Sequence, residues 1–248
     1  MLKENNTNMK KIISITIFLI IFQIVGCATS PQYQSSPSSK MARETLHTSL
    51  FEDDKSIISD EAVAKILDSK IEIMPDNMMA VYKLDNRVSG INKYYGYNYW
   101  LSEEYLDLQQ RYFQIVKTNL IGNGKIRSVK SLPSILTPSK LNISKLRESA
   151  VRMQANLLVV YSIQSDIFEE IHLFKANEVK AYSTCEMILF DTRTGIVPFS
   201  EVITKKYKTQ KLESDANIRE TRKRAEQEAI LETLNELSSK LGVYIKNG

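Results

Sequence analysis

Leu157-Leu158-Val159-Val160-Tyr161-Ser162-Ile163 decides the fold. Seven consecutive residues carry no charge and show no alternation, the signature of a strand buried on both faces. Directly upstream, Asn142-Ile143-Ser144 opens a helix running to about Gln154, whose Leu146, Ala150, Val151 and Met153 can cover a sheet. A helix that passes so directly into a doubly buried strand predicts a sheet backed by helices.

The downstream chain supports the same layering. Residues 178–191 and 196–208 alternate apolar and polar, joined by Asp191-Thr192-Arg193-Thr194-Gly195, whose glycine suits the positive φ of a short hairpin loop. They should be antiparallel neighbours. Residues 215–242 carry Ile218, Ala225, Ala229, Ile230, Leu234, Leu237 and Leu241, a long helix with one apolar stripe and Gly242 as its expected stop.

Upstream, Lys125 to Leu132 is a strand ending at Pro133. A helix opens at Ser102, gains from Glu103 and Glu104 in its first turn, and is stopped by Gly122-Asn123-Gly124; Leu108, Tyr112, Ile115, Val116 and Leu120 form its stripe. Met79 to Leu84 is a further strand after the turn signal Pro75-Asp76-Asn77, and Ser59-Asp60 caps a short helix. The prediction is an α/β fold: a single domain with a mixed sheet of about five strands backed by helices, with a long C-terminal helix. No internal repeat is visible.

With 248 residues, 43% apolar and 25% charged, the chain excludes a disordered or collagen-like class. Its +4 needs division: Lys3, Lys10 and Lys11 against Glu4 place half of it in residues 1–26. The remainder is nearly balanced, which argues against a nucleic-acid partner.

Ile12 to Val25 is an uninterrupted run with a single glutamine behind a lysine pair, short for a bilayer span and typical of a secretory signal. Ile24-Val25-Gly26-Cys27 closes it and resembles the lipobox of bacterial lipoproteins. That resemblance implies that Cys27 is acylated and becomes the first mature residue, so the bilayer is one partner. Ala28 after the cysteine implies, by analogy with Gram-negative systems, the outer membrane with the domain in the periplasm. Residues 28–40, small and polar with two prolines, cannot bury a core and suit a flexible tether of roughly 20 Å r.m.s. span. The expected division is a signal peptide over 1–26, a lipidated tether over 27–50 and a periplasmic α/β domain over 51–248. After acylation Cys185 is the one remaining thiol, read as a buried small residue in an alternating strand.

Leu146-Arg147-Glu148-Ser149-Ala150, Ala155-Asn156-Leu157-Leu158-Val159-Val160-Tyr161 and Leu189-Phe190-Asp191-Thr192-Arg193-Thr194-Gly195, in that order, are similar to motifs of one group of periplasmic lipoprotein domains. The group comprises the curli-assembly lipoproteins, the penicillin-binding-protein activator lipoproteins and the amino-terminal domain of the Tol-system β-propeller protein. The likeness covers about residues 77–242 and implies fold and compartment more than a partner. Asn156 stands where the group has aspartate, and Gln154 where a glycine is expected. The additional amphipathic hairpins of a secretion pore are not seen.

Three features invite a functional reading. Tyr94, Tyr95, Tyr97, Tyr99 and Trp100 form an aromatic segment, either a recognition platform for protein or cell-wall glycan or a cap on the core. Lys205, Lys206, Lys208, Lys211, Arg219, Arg222, Lys223 and Arg224 form a basic stretch suited to anionic headgroups or an acidic partner, or simply a solvated face. Asp166, Glu169, Glu170, His172 and Asp191 lack the spacing of any metal or nucleophile motif. The expected function is therefore a non-enzymatic accessory or assembly factor of the cell envelope, working through an envelope protein partner and without metal or cofactor. The alternative is a binding module for a glycan or small ligand through Tyr94 to Trp100.

Overall fold

A computed structural model describes residues 33–35, 50, 59–69, 71–84, 102–122, 124–137, 141–170 and 177–248. The order is β1 (Tyr33–Ser35), α1 (Asp60–Asp68), β2 (Asn77–Leu84), α2 (Glu103–Ile121), β3 (Ile126–Ser131), a 3-10 turn (Ser134–Leu136), α3 (Ile143–Arg152), β4 (Leu157–Glu170), β5 (Glu178–Asp191), β6 (Phe199–Gln210) and α4 (Ile218–Asn247).

The sheet runs β3-β2-β4-β5-β6. β2 is parallel to both β3 and β4, whereas β4, β5 and β6 are successive antiparallel neighbours. The mixed five-strand α/β sheet with a long C-terminal helix is thus as the sequence predicts. β1, inside the stretch expected to be a tether, adds three antiparallel residues to β4, opposite Phe168 to Glu170.

Side-chain alternation explains the layers. Met79, Val81, Leu157, Val159 and Tyr161 point to one face and pack with Leu108, Val116 and Leu120 of α2 and Leu234, Leu237 and Leu241 of α4. Ala80, Leu158, Val160 and Phe190 point to the other and pack with Ile143, Leu146 and Ala150 of α3. Leu157 to Ser162 is buried on both faces, as its composition demands. The helices start where expected: Ser59, Ser102 and Asn142 accept the amides of Ala62, Tyr105 and Lys145 with their side-chain oxygens.

Two expectations need correction. β4 does not stop near Ile163 but continues to Glu170, because β5 pairs with it along its whole length. α4 does not stop at Gly242 but runs to Asn247. Gly242 is buried within the helix, and an added Cβ would meet the Asn119 carbonyl oxygen at 2.6 Å, so the glycine serves a close approach of α2 to α4.

Candidate interaction surface

The residues that carry the motif form a structural clamp. Arg147 on α3 donates through Nε to the Thr192 carbonyl (2.6 Å) and through Nη2 to the Arg193 carbonyl (2.5 Å). Thr192, buried, donates its hydroxyl to the carbonyls of Ala155 and Asn156, each at 2.8 Å. Asp191 accepts the Arg193 amide (2.9 Å) and the Thr194 hydroxyl (2.8 Å), which holds the turn closed. Its carboxylate is committed to the loop. Asn156 makes two bonds to β2, its amide donating to the Met78 carbonyl at 2.9 Å and its side-chain oxygen accepting the Met78 amide at 3.4 Å, so the acceptor oxygen is kept. Gln154 adopts φ 61°, the conformation for which glycine is expected there.

The other acids are also engaged. Asp166 accepts the Ile167 amide at 3.0 Å, Glu169 pairs with Arg222, and Glu170 pairs with Lys180. Cys185 is buried in the core, and loss of water around it pushes its thiol pKa up to about 12, the opposite of what a nucleophile needs. Glu226 on α4 accepts the Ser165 hydroxyl of β4; desolvation of its carboxyl raises its pKa to about 7. Among the described residues no cluster of three or more histidine, cysteine or acidic side chains could hold a metal ion. His172 lies outside the described residues, as do Tyr94, Tyr95, Tyr97, Tyr99 and Trp100.

Most of the basic stretch is paired within the fold. Lys205 meets Glu236, Lys208 meets Glu178 at 2.6 Å, Arg222 meets Glu169, and Lys223 meets Glu104 at 2.9 Å. Arg224 grips Asp215 at 2.7 Å, and this contact, with the Leu212 amide, pulls that carboxyl down to about 2. Lys206 stands 5.9 Å from the centre of the Tyr182 ring, a cation–π contact. Lys211 and Arg219 are exposed and form no ion pair among the described residues.

Lys206 leads to a surface that sequence reading did not single out. Among the described residues, α3 covers the second face of the sheet over Ala80, Leu158, Val160 and Phe190. Beyond it, the same face continues with Gln164, Asp166 and Phe168 on β4, Tyr182 and Thr184 on β5, and Val202, Thr204 and Lys206 on β6. Phe168 and Tyr182 stack edge to face at 5.5 Å, Thr184 and Thr204 bond at 2.9 Å, and Val202 is 59% exposed. The sequence carries little signal for this surface, because residues 164–170, Gln-Ser-Asp-Ile-Phe-Glu-Glu, follow the continuous apolar run without a regular alternation. By contrast, in a groove of about 230 Å³ between α2 and α4 two of the lining amides are bonded to each other, Asn119 Nδ2 reaching Asn235 Oδ1 at 3.1 Å and also Ser238 at 2.7 Å.

No family model and no curated protein matches the chain by sequence. Among solved structures, a hypothetical protein from Chlamydia trachomatis is similar at 11% identity and TM-score 0.41, covering 70% of this chain and 99% of that one. A minor lipoprotein from Acinetobacter baumannii matches at 11% identity and TM-score 0.34, over 70% of this chain and 93% of its own. The C-terminal domain of LpoB from Salmonella enterica matches at 12% identity and TM-score 0.28, over 58% and 91%.

Proposed function

We propose that this protein is an outer-membrane lipoprotein, acylated at Cys27, whose periplasmic α/β domain acts without chemistry of its own as an accessory or assembly factor by contacting another envelope protein. The observation that supports it is the half of the sheet face between Gln164 and Lys206 that no described helix covers. Rigid strands there display an aromatic pair, a cation and an exposed valine, the mixture that protein interfaces favour. Asp166, Glu169, Glu170 and Asp191 hold the domain's own loops and bases, and the Cys185 thiol is buried, so contact chemistry is the reading that uses what is displayed.

Photoreactive residues placed at Thr184 or Val202 and irradiated in intact cells are expected to give one specific adduct with an envelope protein. Substituting Tyr182→Ala is expected to reduce it several-fold. Absence of an adduct at both positions, with the domain folded, overturns the contact reading. Metabolic labelling with palmitate is expected to mark the wild type and not Cys27→Ala; equal labelling overturns the anchor.

A further inference from the structure

β1 lies at one defined end of the sheet. Tyr33 pairs with Glu170, Glu170 with Glu178, and Glu178 with Gln210, a single row across the sheet at the β4–β5 hairpin end. Because β1 is antiparallel to β4, its first residue, Tyr33, lies at the end of the sheet toward which β4 points. Six residue steps separate Tyr33 from Cys27, a maximum reach of about 20 Å. If Leu50, whose carbonyl accepts the Ile143 amide at 2.8 Å, were the first fixed point, 23 residue steps would separate it from Cys27 and a reach of about 80 Å would impose no orientation.

We infer that the domain stands end-on to the phospholipid surface that holds its acyl anchor, with the strand ends at Glu170, Glu178 and Gln210 and the turn after β6 toward the headgroups. This rests on acylation of Cys27. The turn carries exposed Lys211, Leu212 (48% exposed) and Glu213, with exposed Arg219 beside it. The acids of this end are largely bound internally: Glu169 by Arg222, Glu170 by Lys180, Glu178 by Lys208 and Asp215 by Arg224, while Glu220 accepts the Ala216 amide. Among the described residues Lys211 and Arg219, which form no ion pair, stand around an apolar side chain with Glu213 and Glu220 as the exposed acids, a mixture that suits the phosphate and glycerol level of a lipid surface. α4 begins at this end and its 30 residues carry the chain about 45 Å away, so Val243 lies at the opposite end. The half of the sheet face that no described helix covers then lies between the two, alongside the membrane-facing end.

The test uses full-length acylated protein in vesicles of phosphatidylethanolamine and phosphatidylglycerol containing a headgroup-labelled acceptor lipid. Donor fluorophores are attached at Glu213→Cys or Val243→Cys; Cys185 is buried and does not compete. Energy transfer from position 213 is expected to exceed that from 243 several-fold, and equal or reversed values overturn the orientation. In the double variant Tyr33→Pro, Gln34→Pro one substituted amide must belong to the ladder, since successive amides point to opposite sides. That variant is expected to bring the two values together, and an unchanged difference overturns the role of β1. The mass of the purified protein reads acylation separately: a chain without acyl mass overturns the anchor itself, whereas an acylated chain with equal transfer from both labels overturns the orientation alone.

Discussion

The Cα of Gly242 faces the carbonyl oxygen of Asn119 so closely that a methyl group added to the glycine would stand 2.6 Å from that oxygen. The contact is backbone against backbone, in a seam where Asn119 also donates to Ser238 at 2.7 Å. Neither helix can yield without moving Leu120 or Leu241, both fully buried.

Gly242→Ala is therefore expected to destabilise the fold by about 2 kcal/mol, although alanine is the better helix former by about 1 kcal/mol. Urea denaturation of the two proteins checks the sign: a variant as stable as the wild type would show that the helices separate at little cost.

Gly242 also shows where sequence reading stopped. The stripe from Ile218 to Leu241 is legible because burial imposes helical spacing on one chain segment. The purpose of a glycine at its end depends on a carbonyl 123 positions away. The continuous run from Leu157 was legible for the same local reason, and its polar continuation to Glu170 was not, because that half lies beyond the cover of α3. The basic stretch looked free, yet Arg222 finds Glu169 on β4, 53 positions earlier, a pairing set by topology. The Asp191 turn was read correctly as a turn. Its glycine is at φ 81°, and its acid is consumed in holding it.

Gln154 sits in the left-handed region at φ 61°, which costs a side-chain-bearing residue about 1 kcal/mol or more. Gln154→Gly is expected to stabilise the domain by about 0.5 kcal/mol once the glycine's extra chain entropy is counted. Gly195→Ala, at φ 81° in the opposite turn, is expected to destabilise by about 1 kcal/mol. Thermal melts of both variants check the pair, and shifts of the same sign would refute the conformational account.

Cys185 is fully buried between β4 and β6 with its thiol pKa pushed up to about 12. A thiol reagent at pH 8 is expected to leave it unmodified in the native protein and to react on unfolding, so its modification rate should follow the opening of the β5 region. Immediate reaction in native buffer would show that the core is accessible there.

Glu226 gives the fold a pH dependence whose direction is fixed. Its ordinary value of 4.5 is raised to about 7 by desolvation beneath α4, while its Oε1 accepts the Ser165 hydroxyl. Below pH 4.5 the folded and unfolded chains both hold the proton. As pH rises from 4.5 to 7 the unfolded chain releases it first, so this group's contribution to stability declines across that window and stays lost above it. Since the residue as a whole is half-buried, the loss should be about 2 kcal/mol rather than the full value for a dry site. Glu226→Gln keeps an acceptor for Ser165 and carries no charge. The difference in unfolding free energy between variant and wild type is expected to grow in the variant's favour between pH 4.5 and 7 and to level off at pH 8. A constant difference across that range would show that the carboxyl is ionised and solvated in the folded protein.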